Sequence, residues 1–281
     1  MSEWPTFIDR RDLAPGDIVP HANLPDGVEL CRIESADDPL FESAYRMLEA
    51  EFSHSNEIES RDVLIDRLSW RADRENESGF AMGYEILALK VAGEIAAVRD
   101  HSVIISHAAV TVHMSHVLVA PDWRRRGLAT ILRTLPVSFA RRTAAVAGVA
   151  NPSLTLFCEM DPATPESLTS KVRRASYEKA GFLAIPAGHG YLQPDFRESS
   201  VIESDPQGPK PVALDLLFRR IGHEHELEVS AAELMVHIER IYGMYQRNIA
   251  PGHMAACLEW LETFRTSALE TYPLVPPTSF A

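Results

Sequence analysis

The residues with the clearest chemical potential lie in the segment 117–130, where a predicted strand runs through three arginines and a glycine into a predicted helix. The first amides of a helix have no partners within it and carry the positive end of its dipole. A helix beginning at Gly127 therefore offers N–H groups beside the charges of Arg124, Arg125 and Arg126, which suits an anion such as a pyrophosphate. The alternative is a solvated arginine run before an ordinary helix.

The charge around this segment differs from that of the rest of the chain. The 281 residues carry a formal net charge of -13, yet six arginines and no acidic residue lie between Trp123 and Ala150. This contrast favours an anionic ligand bound locally. The basic segment is too small, and the remainder too acidic, to predict binding to nucleic acid.

The arrangement Arg124-x-x-Gly127-x-Ala129, preceded by Val-x-Val-x-Pro, resembles the acyl-CoA signature of the GNAT acyltransferase superfamily. The resemblance implies acetyl-CoA or another acyl-CoA as co-substrate, with no metal. It also implies that strand backbone pairs with the pantetheine arm and that the loop and first helical turn hold the diphosphate. The residues it assigns to these contacts are Val117, Leu118, Val119, Arg124, Arg125, Arg126, Gly127, Leu128, Ala129 and Thr130.

A second segment, Tyr177-Glu-Lys-Ala-Gly181-Phe182, resembles the family pattern Tyr-x-x-x-Gly-Phe. The resemblance implies that the Tyr177 hydroxyl protonates the departing CoA thiolate. The alternative is a tyrosine that only packs its helix on the sheet. The chain departs from the family pattern at Ser170, seven residues before the tyrosine, where family members often have an asparagine for the pantetheine.

A base for the acceptor ammonium is sought on the fourth predicted strand, which carries two histidines. His113 is preferred because it lies eleven residues before Arg124, where several GNAT members carry a glutamate or histidine base, and because imidazole titrates near working pH. Strict alternation places His113 on the face of Ser115 and Val117, and His116 on the other, but a bulge would change these faces. His116, a water and a purely structural histidine remain alternatives.

The composition sets the class of protein. The chain is 46% hydrophobic, has no run approaching the roughly 20 apolar residues of a membrane helix, and begins without a secretory pattern. We expect a cytoplasmic protein that does not bind membranes. Cys31, Cys158 and Cys257 are odd in number and match no zinc spacing, so we expect reduced thiols.

Hydrophobic periodicity predicts an alternation of strands and helices. Predicted strands cover 28–33, 84–91, 94–105, 110–119, 154–159, 181–185 and 212–219, and predicted helices cover 39–52, 61–70, a segment from 127 and 167–179. Pro136 should kink the third helix or end it near Thr134, because proline removes a helical hydrogen bond. The order is that of the GNAT fold, an α/β class with a mixed sheet.

We expect three parts: a proline-rich N-terminal arm (1–27), a GNAT acyltransferase domain (28–221) and a C-terminal helical extension (222–281). The arm should be extended, either laid over the domain or mobile. A long excursion, 186–211, could cover the acceptor site, with Tyr191, Gln193 and Phe196 as its contacts, or be a surface loop without function.

The C-terminal extension begins with a capping box at Ser230-Ala-Ala-Glu233. Two amphipathic helices follow, separated by Pro251-Gly252. We expect them to dock on the same chain, with a homodimer interface or another partner as the alternatives.

Together these features predict an acyl-CoA-dependent N-acyltransferase, an enzyme that transfers an acyl group directly to a small-molecule or peptide amine. The resemblance places the thioester in the cleft between the fourth and fifth strands. The alternative is a catalytically degenerate GNAT domain that serves as an acyl-CoA sensor or interaction module, because a fold does not fix a function.

Overall fold

The computed structural model describes residues 3–73, 79–106, 109–162, 167–186, 190–267 and 269–280. The chain divides into two compact units, Met1–Leu154 and Thr155–Ala281, which are described separately. The three-part division at residues 27 and 221 stays a prediction. No helix of the described chain has the length and apolar character needed to cross a membrane.

The first unit consists of an antiparallel sheet and three main helices. Its elements are β1 (Glu29–Ile33), α1 (Phe41–Phe52), α2 (Arg61–Leu68), β2 (Ala81–Val91), β3 (Glu94–Ser106), β4 (Ala109–His113), β5 (Val117–Val119) and α3 (Leu128–Val146). Strands β1 to β4 are neighbours in that order, and β5 pairs with β3. The predicted hairpin at Ala92-Gly93 is confirmed, with φ of 52° and 85°, the left-handed pair that a two-residue hairpin turn requires.

The fourth predicted strand, 110–119, is two strands, so its prediction as one strand was wrong. Ser102 pairs with His113, and Arg99 pairs with Val117. Three steps along β3 therefore correspond to four along the β4–β5 segment, which holds one extra residue. The extra residue bulges between β4 and β5, and such bulges end or redirect strand pairing.

The predicted early end of the helix near Thr134 was also wrong, because α3 runs through Pro136 from Leu128 to Val146. The alternative prediction, a kink at Pro136, stays a prediction. The missing N–H of Pro136 costs one helical hydrogen bond. On either side of it, Leu132, Leu135, Val137 and Phe139 are buried. We attribute the continuity of the helix to this burial, since tertiary packing outweighs local propensity.

The N-terminal arm is laid over the first unit, as one of the two expectations for it stated. It contains two short 3-10 turns, Arg10–Asp12 and Pro15–Asp17. Trp4, Ile8, Leu13 and Leu24 are buried in one cluster with β2, β3 and α3. The arm therefore belongs to the hydrophobic core, which its irregular sequence pattern did not reveal.

The second unit has a three-stranded antiparallel sheet with helices and two small two-stranded sheets. Its elements are β6 (Ser153–Met160), α4 (Leu168–Lys179), β7 (Leu183–Ala184), β8 (Leu192–Gln193), α5 (Ser199–Ser204), β9 (Val212–Ala213), β10 (Asp215–Arg220), β11 (Glu228–Ser230), α6 (Ala231–Tyr245), α7 (Ala255–Ser267) and β12 (Thr271–Pro273). Strand β10 lies between β6 and β7, and β8 pairs with β9. The predicted strand 212–219 is divided here between β9 and β10, which pair with different partners.

The C-terminal helices dock within the second unit, as expected. Ser230 caps α6 by accepting the Glu233 amide at 3.1 Å, which confirms the capping box. Tyr245 of α6 donates to Glu159 of β6 at 2.8 Å, and Tyr242 donates to the Leu192 carbonyl at 2.7 Å. These hydrogen bonds fix α6 to β6 and to β8. A homodimer contact through the helices stays a prediction.

Candidate functional site

Strand β5 presents one backbone edge away from its only strand neighbour among the described residues, β3. Asp100 N–H donates to the His116 carbonyl at 3.2 Å, and Ala120 N–H donates to the Ala96 carbonyl at 2.9 Å. Backbone groups alternate in direction along an antiparallel strand. Those of Val117 and Val119 therefore point away from β3, where an extended ligand could pair with them.

The loop after β5 gathers unpaired amides. Arg125 has φ 63° and Gly127 has φ 82°, whereas Arg126 between them has no positive φ. Successive backbone N–H groups in turns that combine right-handed and left-handed residues form concavities that bind anions. Gly127 is the N-cap of α3 and provides no side-chain cap. Within the described chain, the amides of residues 125–129 have no hydrogen-bond partner. The first amide of α3 that has one is that of Thr130, which donates to the Gly127 carbonyl at 3.0 Å. The loop is therefore built to hold an anion.

The three arginines of the loop are exposed, and two of them have contacts. Arg124 donates its Nε–H to the Val119 carbonyl at 3.1 Å. The Arg126 guanidinium lies over the Trp123 ring, 4.9 Å from its centroid. The Arg125 side chain has no partner among the described residues. The loop thus presents one uncommitted cation beside the unpaired amides.

Thr130, predicted to hold phosphate, faces the N-terminal arm. Its amide bonds to Gly127, and its hydroxyl donates to the Asp17 carboxylate at 3.4 Å. Arg133 donates to the same carboxylate at 3.3 Å. The helix dipole also favours the Asp17 carboxylate, because it lies beside the first turn of α3. The structure therefore gathers the loop groups available to a ligand into residues 125–129.

The extra residue between β4 and β5 places both histidines on one face of the sheet. His113 lies opposite Ser102, and His116 lies opposite Asp100. Because Ser102 and Asp100 are two residues apart on β3, they face the same side. The alternation that separated His113 from His116 was wrong, and the bulge considered in the sequence analysis accounts for it.

His116 is held by hydrogen bonds on both ring nitrogens. Its Nδ1 lies 2.9 Å from the Asp100 carboxylate, and its Nε2 lies 2.8 Å from the Glu57 carbonyl. Burial alone would lower the pKa of His116, but the Asp100 charge and these hydrogen bonds raise it to about 9. His116 is therefore an imidazolium at neutral pH, which donates both protons and has no lone pair for a substrate proton.

His113 has a different environment. It is 2% exposed, and its Nδ1 lies 3.1 Å from the Ser115 hydroxyl. The neighbouring Ser102 hydroxyl is buried and has no partner among the described residues. The face around His113 therefore holds the hydroxyls of Ser102 and Ser115.

These features combine a bulged fourth strand, an outward backbone edge, an amide loop and an uncapped helix in the order that the GNAT resemblance implies. The chain has an α/β fold whose strands and helices follow one another in that order.

Comparison with known proteins finds the GNAT fold among solved structures. A putative GNAT-family acetyltransferase from Bacteroides thetaiotaomicron is 13% identical, with TM-score 0.43, over 70% of this chain and 94% of that chain. A GNAT-family acetyltransferase from Elizabethkingia anophelis with acetyl-CoA bound is 14% identical, with TM-score 0.39, over 69% of this chain and 99% of that chain. Ard1 from Thermoplasma volcanium is 18% identical, with TM-score 0.39, over 69% of this chain and 97% of that chain. No protein-family model matches the chain, and no curated protein matches it.

The second unit carries Tyr177, the residue that the GNAT resemblance assigns as acid. Tyr177 lies near the end of α4, is buried, and makes an edge contact with Phe182 at 5.0 Å between ring centroids. Its carbonyl accepts the Phe182 amide at 3.0 Å, after the turn at Gly181. Ser170, in place of the family asparagine, donates its amide to the N-cap Ser167 at 3.1 Å. The Tyr-x-x-x-Gly-Phe segment therefore forms one helix end and its turn.

The residues proposed as acceptor contacts pack inside the second unit. Tyr191 stacks on Tyr242 at 5.5 Å, and Phe196 contacts Tyr245 at 5.3 Å between ring centroids. Gln193 is 5% exposed. Within the excursion 186–211, residues 187–189 lie outside the described residues. The described part is a packed segment that covers α6.

Sequence reasoning missed the residues that hold His116. Asp100 accepts hydrogen bonds from the His116 backbone at 2.9 Å and from the Tyr84 hydroxyl at 2.9 Å. Burial would raise the pKa of Asp100, but the positive charge and donors of His116 hold it below its usual range. The signal was present as three titratable residues, Arg99-Asp100-His101, inside an otherwise apolar strand, since such residues are buried only with partners.

Proposed function

We propose that this chain is an acyl-CoA-dependent N-acyltransferase that transfers its acyl group, in the first instance acetyl, directly to an amine. The observation that carries the proposal is the row of unpaired amides 125–129 at the uncapped start of α3, with the Arg125 charge beside it. Amides and a cation of this kind bind a diphosphate through charge-assisted hydrogen bonds. The outward backbone of β5 lies directly before them in the chain.

The pantetheine arm pairs with Val117 and Val119 in this proposal. An amide of the arm would occupy the edge of β5 as an added strand does. The Val119 carbonyl already accepts the Arg124 Nε–H. The pantetheine arm therefore contacts Val119 either beside the Arg124 side chain or after that side chain has moved. Arg124 thereby couples the pantetheine edge to the phosphate loop.

The acyl carbon forms its bond to the amine nitrogen as its bond to sulfur breaks. His113, or a water that it polarises, takes the ammonium proton, since His116 is already protonated. Tyr177 gives its proton to the departing thiolate, and the second proton that the nitrogen loses on becoming an amide passes through water to restore the Tyr177 hydroxyl. For Tyr177 the support is the family segment, and for His113 it is the polar face shared with Ser102 and Ser115. His116 acts as a positioning residue, because it ties β5 to the Glu57 carbonyl in the connection after α1.

The acceptor is a small-molecule or peptide amine in this proposal. The formal net charge of -13 favours encounter with cationic molecules, which amines are at neutral pH. The net negative charge affects the rate at which an acceptor associates and does not identify the acceptor. The acceptor is identified by the assay with a panel of amines.

The first test titrates the protein with acetyl-CoA by calorimetry and follows free thiol with a panel of amines. Arg125→Gln should weaken acetyl-CoA binding by about tenfold, the scale of one lost charge-assisted hydrogen bond. Arg46→Gln is the matched control, since Arg46 is an exposed arginine paired with Glu42 on α1. Normal affinity of Arg125→Gln would contradict the phosphate assignment.

The second test separates catalysis from binding. Tyr177→Phe and His113→Gln should keep acetyl-CoA affinity within about twofold and lower turnover by about 100-fold, the usual scale for a general acid or base. Binding without thiol release on any amine would favour the sensor module instead.

A further inference from the structure

Residues 274–280, here called the strap, lie along the outer edge of strand β7 in the second unit. Val275 and Ala184 form an antiparallel bridge. The Ala184 N–H donates to the Val275 carbonyl at 2.8 Å, and the Val275 N–H donates to the Ala184 carbonyl at 3.0 Å. On its other side β7 pairs with β10. The strap therefore covers an edge whose backbone groups would otherwise be open to pairing.

The strap is also fixed to the last turn of α4. Thr278, in the 3-10 turn Pro277–Phe280, donates both its hydroxyl and its amide to one carboxylate oxygen of Glu178, with the amide nitrogen 3.2 Å from that oxygen. Hydrogen bonds to an ionised acceptor are stronger than those between neutral groups. Glu178 is half-buried and directly follows Tyr177 in the chain. The strap thus contacts α4 one residue away from the proposed acid.

The two attachments of the strap lie on either side of the turn after Tyr177. Between Glu178 and Ala184 the chain ends α4, turns at Gly181 with φ 77° and enters β7. The Phe182 amide donates to the Tyr177 carbonyl at 3.0 Å across this turn. Because one attachment precedes the turn and the other follows it, the strap limits movement of the end of α4 relative to β7.

An ion pair of the same unit lies against this turn. A Cβ added to Gly181 would fall 3.3 Å from Glu224 Cγ and 3.6 Å from Arg219 Nε. The Arg219 Nε–H donates to the Glu224 carboxylate at 2.9 Å. The end of α4 is therefore held at Gly181 by this close approach and at Glu178 by the strap.

We propose that the strap positions Tyr177 for the departing thiolate and that Thr278 is a positioning residue acting through Glu178. The inference rests on the function proposed above. A general acid must lie within hydrogen-bond reach of the atom that it protonates, and a small displacement of a reacting group lowers the rate strongly. The strap includes no residue assigned to acyl-CoA, so its loss should lower turnover and leave acyl-CoA affinity unchanged.

The test compares variants of the full chain by thiol release, with an amine that the wild type acylates, and by calorimetry with acetyl-CoA. Thr278→Val should lower kcat by about tenfold, as expected for a small misplacement of the acid, and keep acetyl-CoA affinity within about twofold. Thr278→Ser retains a hydroxyl and should restore most of the lost turnover. Thr266→Val is the matched control, because the exposed Thr266 hydroxyl bonds to carbonyls of its own helix. Its kcat should equal that of the wild type.

A double-variant cycle shows whether Thr278 acts through Tyr177. In Tyr177→Phe the hydroxyl that the strap would position is absent, so adding Thr278→Val should lower kcat no further. A thermal melt accompanies each variant. If Thr278→Val melts early, Thr278→Ala replaces it under the same thresholds.

Two outcomes would overturn the inference alone, in a protein whose turnover falls in Tyr177→Phe. Unchanged kcat in Thr278→Val would show that the strap only covers the edge of β7. Losses that multiply in the double variant would show that Thr278 does not act through Tyr177. Full turnover in Tyr177→Phe, or a wild type that releases no thiol, would instead remove the proposed role of Tyr177, and this inference with it.

Discussion

The charged pair formed by His116 and Asp100 gives the first unit a stability that depends on pH. The pKa of His116 is about 9 in the folded chain and about 6.5 for an unperturbed histidine. A group with a raised folded pKa stabilises the fold fully below its unfolded pKa. That stabilisation is lost as the pH rises through 9.

The difference in pKa sets the magnitude. A rise of the pKa from 6.5 to about 9, at about 1.4 kcal/mol for each pKa unit, corresponds to about 3 to 4 kcal/mol of unfolding free energy, of which about 3 kcal/mol falls between pH 6 and pH 9.5. This is a large share of the stability of an ordinary domain. The pKa of Asp100 is held below its usual range, so its own contribution changes only in acid and does not overlap the window from pH 6.5 to 9.

The assay is urea unfolding at pH 6 and pH 9.5, comparing the wild type with the double variant Asp100→Asn/His116→Asn. Removing both partners avoids leaving an unpaired buried charge. The unfolding free energy of the wild type should exceed that of the variant by about 3 kcal/mol more at pH 6 than at pH 9.5. His113→Gln, on the same face, should keep the wild-type pH dependence. An equal difference at both pH values would refute the imidazolium assignment and return His116 to the candidates for the base.

Three further predictions concern local backbone features. Gly127→Ala should lower the unfolding free energy by at least about 1 kcal/mol in urea, since φ at Gly127 is 82° and the new Cβ would meet His21. An unchanged unfolding free energy would contradict the strain expected at this φ and the close contact with His21. Ser230→Ala should cost about 1 kcal/mol by removing the cap on Glu233 N–H, whereas Ser199→Ala, which caps nothing, serves as its control. Ala92→Gly should raise the unfolding free energy by up to about 1 kcal/mol because Ala92 has φ 52°, and a lower melting temperature would contradict the hairpin geometry.

Local signals in the sequence predicted the features that depend on neighbouring residues. The capping box at Ser230 and the turn at Ala92-Gly93 each act within four residues, so the sequence alone specifies them. The geometry of the loop 124–130 belongs to the same group, because its strand, glycine and helix are contiguous, while the binding of phosphate there stays a proposal. The amides of residues 125–129 are unpaired for local reasons.

The attachment of the N-terminal arm to α3 could not be predicted from neighbouring residues. Asp17 and Arg133 are separated by 116 positions, and no periodicity links them. The contact of His21 with Gly127 likewise requires the whole first unit to fold first. Residues 1–27 were expected to be extended, and the structure places Asp12, Asp17 and His21 of this segment against α3 and the loop before it.

The two histidines of the fourth strand show why register decides function. With regular alternation, only one of His113 and His116 could share the face of Asp100. One extra residue between β4 and β5 brings both to that face, and the carboxylate then pairs with His116. The pairing fixes His116 in its charged form, which is why we propose His113, three residues earlier, as the base. A single inserted residue thus places both histidines beside Asp100 and Ser102 and gives His116 a structural role, while the catalytic role proposed for His113 stays a prediction.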